Sequence, residues 1–268
     1  MIQSKNNLYK LPILETIKRT FLYVLKEREL LKAALPIVGA LIVFEIILLK
    51  LFACDNNSGD CSLSWQNMVT KLAFSIVNIG IIINYCRQIV LKEKPDFTSK
   101  NFWKLVIYYS IAILAFTLLM FLTLFFAGSI ISIFTSTLDA SPIFIAVFAN
   151  LFALTLLIIF APLFLIFPCV AVEDYETLNI KKLFDLAKGN HLQIFLGLLL
   201  SGIPCLILLS IILMLAITIS SIESIENNPV FVLAILLIQV INTFIRGSYY
   251  AHIYQYFKFV EKQQINKN

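Results

Sequence analysis

Six long apolar runs, separated by polar or charged stretches, constrain this chain more than any other feature. They fall at approximately 33–53, 67–91, 102–134, 142–172, 192–219 and 229–257. A hydrocarbon core about 30 Å thick is crossed by about 20 helical residues, and every run reaches that length. Membrane-spanning β-strands are short and alternate in polarity, whereas a stretch such as Ile203 to Ile219 does neither. The expected fold is therefore all-α: a polytopic helical bundle with six transmembrane helices. Composition agrees, since 60% of the residues are hydrophobic and 14% charged, against roughly half and a quarter in soluble domains.

Orientation follows from the basic residues, which gather on the cytoplasmic side of membrane proteins. The segment before the first run, the 87–104 region, the 181–188 region and the C-terminal end together hold 19 of the 21 lysines and arginines. Only Lys50 and Lys71 fall on the other side, whose loops carry Asp55, Asp60, Asp139, Glu223 and Glu226. Both termini of this multi-pass chain are thus expected in the cytoplasm. Residues 1–32 read as a cytoplasmic amphipathic segment that stays in the mature protein, 33–257 as the transmembrane domain and 258–268 as a cytoplasmic tail. The net charge of +5 is scattered by topology rather than pooled on one surface, which argues against a nucleic-acid partner. The lipid bilayer is the partner the chain calls for; a membrane-protein partner or self-association stays open.

Two segments are expected to lie in the membrane surface as amphipathic helices. In the first, Leu14, Ile17, Phe21, Val24 and Leu25 recur at three- and four-residue spacing, with Glu15, Lys18, Arg19 and Lys26 mainly elsewhere on the wheel. In the second, Ile180, Leu183, Phe184 and Ala187 form the stripe, with Asp174 or Thr177 as N-cap and Gly189-Asn190 as the stop. Each precedes a pair of spans, and Ile17-Lys18-Arg19-Thr20-Phe21 resembles Ile180-Lys181-Lys182-Leu183-Phe184. A parallel repeat around a central pair of spans is one way to read this.

Polar residues inside spans are candidate sites by default. Glu45 is the carboxylate well inside a run, about 12 Å from its outer end at 1.5 Å per residue, and Asn78 lies about 16 Å below the start of the next. With Asn84 and Asn242 they make a candidate intramembrane polar cluster, read either as a structural clamp between spans or as a transport or proton-handling site. Arg87 and Arg246, flanked by tyrosines, are expected to reach lipid headgroups. Cys54 and Cys61 bracket a short outer loop and are a candidate disulfide; Cys86, Cys169 and Cys205 sit in apolar surroundings as packing residues. Pro162, Pro168 and Pro204 interrupt spans four and five. His191 and His252 lie in separate regions, no zinc, nucleotide or nucleophile-elbow motif occurs, and the Glu173-Asp174 pair reads as a solvated boundary. No cofactor is called for, and no enzyme.

Three stretches resemble an uncharacterised bacterial family of six-helix inner-membrane proteins, of the YciC-like kind and related to the membrane domain of some glycerophosphodiester phosphodiesterases. They are Tyr85-Cys86-Arg87-Gln88-Ile89-Val90-Leu91-Lys92-Glu93-Lys94-Pro95, the segment from Ala161-Pro162-Leu163 through Phe167-Pro168 and Glu173-Asp174 to Leu183-Phe184-Asp185-Leu186-Ala187-Lys188-Gly189-Asn190, and Tyr249 to Tyr256. Phe184 and Asp185 depart from the family's small-residue or Trp positions. The resemblance implies topology but no reaction, since the phosphodiesterase chemistry belongs to a separate soluble domain absent here. The functional expectation is a non-enzymatic scaffold or lipid-contacting module in envelope homeostasis. The alternative is a small-solute or lipid transporter using Glu45 and the intramembrane asparagines.

Overall fold

The computed structural model describes residues 10–51, 65–138, 142–219 and 229–266. These are helical almost throughout, with no strand among them. The helices are α1 Ile13–Lys26, α2 Arg28–Leu51, α3 Trp65–Val90, α4 Lys100–Leu138, α5 Pro142–Phe160, α6 Ile166–Ala171, α7 Ile180–Leu186, α8 His191–Ile219 and α9 Pro229–Ile265, with a 3₁₀ segment Ala161–Leu165 between α5 and α6.

Among the described residues five stretches are long and apolar enough to cross a membrane: Lys71–Val90, Lys100–Phe126, Val147–Ala171, His191–Leu215 and Leu233–Gln263. The protein is an integral membrane protein with a helical bundle fold. The first expected run, 33–53, forms α2, whose far end passes out of the described residues, so the span count among them is five rather than six. The helices outlast the hydrocarbon core: the 39 residues of α4 extend about 58 Å at 1.5 Å each.

The fourth span is the broken one. Pro162 has no backbone N–H to give the preceding turn and its ring crowds it, so α5 stops at Phe160, tightens into the 3₁₀ segment and resumes as α6. Pro204 lies within an uninterrupted α8, where the helix absorbs it.

Burial is uneven along the bundle. Near the end that carries the basic residues, Tyr85, Ile89, Leu105, Tyr109, Leu165, Cys169, Tyr249 and Phe257 are buried in one core. Further along, Leu118, Phe125, Val147, Leu151, Leu206 and Leu213 stand exposed. Exposed side chains of this kind are stable only if lipid surrounds them. Helix α9 is the hub, packing on α3, α8, α1 and α2.

Helix α1 docks on α9 and α8 by its small polar face. Thr16 and Thr20 are buried, Ser248 donates to the Thr20 carbonyl at 3.3 Å, and Tyr256 donates to the Lys10 carbonyl at 3.0 Å. The expected apolar stripe divides: Leu14 and Leu25 are 80% and 75% exposed, which suits a helix whose outer side meets lipid. Leu183 in α7 and Ala187 just after it are fully buried while Ile180 is exposed, so half of the second stripe seals the bundle. Its N-cap is Asn179, which accepts from Lys181 N at 2.9 Å. Asp174 and Thr177, expected in that role, are engaged elsewhere. Gly189 takes the left-handed conformation (φ 77°) beyond the helix end, as the expected stop requires. The two halves of the proposed repeat share element order but not docking, because α7 packs on the 3₁₀ segment whereas α1 lies across α8 and α9.

Candidate functional site

The polar residues converge at the turn after α6, at the basic end. There the chain closes in a Schellman motif: Asp174 N donates to the Cys169 carbonyl at 2.9 Å and Glu173 N to the Val170 carbonyl at 3.2 Å. The left-handed position of this motif is usually glycine, yet here it is Glu173, at φ 59°. The turn sends two successive carboxylates to different helices.

Glu173 goes to α3 and α4. Arg87 Nη1 donates to its Oε1 at 2.9 Å, and Asn101 Nδ2 does so at 3.2 Å. The same guanidinium donates through Nε to Glu93 at 2.7 Å and through Nη1 to the Ala171 carbonyl at 3.3 Å. Its side chain is only 18% exposed. Arg87 is therefore held by two carboxylates rather than standing free for a headgroup. The hydrogen bond from Arg87, aided by Asn101 and opposed by partial burial, holds the Glu173 carboxyl below its usual range.

Asp174 goes to α9. Lys258 Nζ lies 2.9 Å from its Oδ2, Tyr254 donates to the same oxygen, and the Thr177 hydroxyl donates to it at 2.7 Å. Thr177 in turn accepts from Lys258 at 2.7 Å, and Glu261 takes another Lys258 proton at 3.0 Å. Burial disfavours ionisation here, but the hydrogen bonds from Tyr254, Lys258 and Thr177 outweigh it and hold Asp174 at about 2.

Asn84 belongs to the same end. Its Nδ2 donates to the Gly80 and Asp96 carbonyls at 3.0 and 2.9 Å, and its Oδ1 accepts from Asp96 N at 2.7 Å. It clamps the α3–α4 turn instead of joining Asn78 and Asn242. Asp96 then opens α4, accepting from Thr98 N at 2.9 Å and Ser99 N at 3.1 Å. Hydrogen bonding from Ser99 and Thr98 keeps its carboxyl at about 2.

Of the remaining candidates, Asn78 on α3 and Asn242 on α9 have side-chain oxygens buried within the bundle. Their Oδ1 atoms, with Tyr85 Oη and Gln88 Oε1, are buried without a hydrogen-bond partner among the described residues. The helices run in the same direction and touch where a Cβ on Gly247 would meet Ile82 Cα at 3.1 Å, which sets Asn78 and Asn242 at similar depth. The side chain of Glu45 lies outside the described residues, as do Cys54 and Cys61. Arg246 is exposed. His191 Nδ1 meets the Ile159 carbonyl and His252 Nδ1 the Ser248 carbonyl. No metal-binding group of three or more ligands occurs among the described residues.

Two concavities flank the turn. A polar hollow of about 740 Å³ contains Lys10, Lys182 and Lys188 but also Glu176 and Asp185, so its charges largely compensate. A groove of about 530 Å³ opens sideways between α4 and the 3₁₀–α6 stretch, with an almost wholly apolar lining and Lys104 and Tyr175 at its basic end.

The ion-pair hub went unread in the sequence because its partners are distant. Asn101 and Lys258 carried no motif and Tyr254 only its place in the aromatic C-terminal stretch; the available signal was two adjacent carboxylates beside spans that each end in a cation. No family model matches the chain, and comparison with curated proteins and with solved structures finds no match.

Proposed function

We propose that this protein is a non-enzymatic, lipid-contacting scaffold of a bacterial inner membrane, with its basic end in the cytoplasm, and that it is of the YciC-like kind. The observation that carries this reading is the Glu173-Asp174 turn. Its carboxylates, and the cations that meet them, bind α3, α4 and α9 to one point. Polar chemistry spent on joining helices supports architecture, and the apolar groove beside it supports contact with lipid.

The test is a flux measurement on the full chain in sealed proteoliposomes. A scaffold leaves an imposed proton gradient decaying as slowly as in empty vesicles. A leak abolished by Glu45→Gln would overturn the scaffold in favour of a transporter. One observation favours that second reading: the buried Asn78 and Asn242 oxygens without a partner among the described residues are polar groups that a solute or water path would use.

A further inference from the structure

The lateral groove has features that lipid-facing surfaces lack by default. Ala112 and Ala115 on α4 leave its floor open, and Leu163 and Val170 form the opposite wall. That wall belongs to the 3₁₀ segment and α6, which follow the proline break. Along α4 it extends from Lys104 to Leu119, about 22 Å at 1.5 Å per residue. Half of a bilayer, headgroups included, is about 20–22 Å. The groove thus has the depth of one leaflet.

Its polar end is chemically specific. The Lys104 ammonium sits 5.5 Å from the Tyr108 ring centroid and forms no ion pair among the described residues. Glu173, which feels the Lys104 charge, takes its hydrogen bonds from Arg87 and Asn101. Tyr175 and Trp103 are both exposed at this level, as aromatic side chains are at a membrane–water boundary. A cation at headgroup depth above an apolar channel one leaflet long complements a molecule with an anionic head and an extended hydrocarbon tail.

We infer that the groove holds one acyl chain of an anionic phospholipid from the leaflet at the basic end, with its phosphate on Lys104. This rests on the lipid-contacting reading and names the lipid class and the seat.

Native mass spectrometry tests it on the full chain released from nanodiscs of equal parts phosphatidylglycerol and phosphatidylcholine. The expected result is one retained lipid per chain, phosphatidylglycerol preferred about fivefold, the discrimination one lysine gives near an anionic headgroup. Lys104→Gln brings that preference to parity. Ala115→Leu, which fills the floor, removes the retained lipid with helix content by circular dichroism unchanged. Lys100→Gln, one turn away and outside the groove, leaves both properties as they were. Retention without headgroup preference, or a preference that Lys104→Gln does not move, overturns the assignment of this seat and leaves lipid contact standing. Retention of neither lipid by the unsubstituted chain overturns both readings.

Discussion

Arg87 meets carboxylates six and 86 residues away along the chain, and a flat guanidinium with donors on several edges is suited to that task. Arg87→Ala leaves Glu173 and Glu93 without their cation in a partly dry site. Breaking a buried pair costs about 3–5 kcal/mol; discounted for exposure, a loss of roughly 1–3 kcal/mol is expected. It should appear as a lower melting temperature in detergent, with Arg87→Lys recovering only part because one ammonium cannot serve both acids. A variant melting like the parent would contradict the hub. Glu173 separates a second effect. A left-handed non-glycine residue carries strain of about 1–2 kcal/mol, so Glu173→Gly, which relieves it, should be less destabilising than Glu173→Gln, which keeps it. The pH dependence has a definite sign. Asp174, Asp96 and Glu173 are all depressed, so the unfolded chain binds more protons than the folded one below the ordinary carboxylate range near 4. Their stabilisation is complete above that range and is lost as pH falls towards about 2. Thermal melts from pH 6 down to pH 2 should show the decline, and Asp174→Asn should flatten it.

At the scale of the helices, the crossings are set by small residues that let backbones approach in a medium where burial of apolar surface gives little drive. Gly247 on α9 faces Ile82 and Tyr85 of α3, where a methyl group would come within 3.1 Å of the Ile82 Cα. Gly197 on α8 lies beneath Tyr249 of α9, whose hydroxyl donates to the Ile194 carbonyl at 3.0 Å. Gly247→Ala is expected to cost about 1–3 kcal/mol through overpacking, read as a fall in melting temperature and in the yield of monodisperse protein. A buried asparagine gives the opposite sign. Asn242→Leu removes a buried acceptor without a partner among the described residues, and is expected to leave stability unchanged or raise it by about 1 kcal/mol. A clear fall in melting temperature would mean that Asn242 bonds to something essential there. Element identity was largely readable from sequence, because hydropathy and the 3.6-residue period act locally. The N-cap of α7 was not: Asp174 and Thr177 have the right chemistry for a cap, but the α9 lysine and tyrosine compete for them and win.

For the whole molecule, the described structure is tight at the basic end and apolar on the outside further along the helices. The ion-pair turn, the α1 strap and the aromatic core all lie at the tight end, and the groove begins there. Scanning cysteines test its orientation: a thiol-reactive reagent that cannot cross membranes should modify Lys94→Cys and Lys182→Cys in inverted vesicles and spare them in intact cells. Modification of either from outside cells would reverse the proposed topology.

Spanning segments, their flanking charge and the proline break in the fourth span follow from residues taken a few at a time, since transfer into hydrocarbon and the loss of a backbone donor are properties of short stretches. Which cations meet Glu173 and Asp174, which face of α1 docks, and that a leaflet-deep groove ends at Lys104 depend on helices far apart in the chain. Those choices were made by packing, where competing partners at similar depth are told apart only by distance and direction in space.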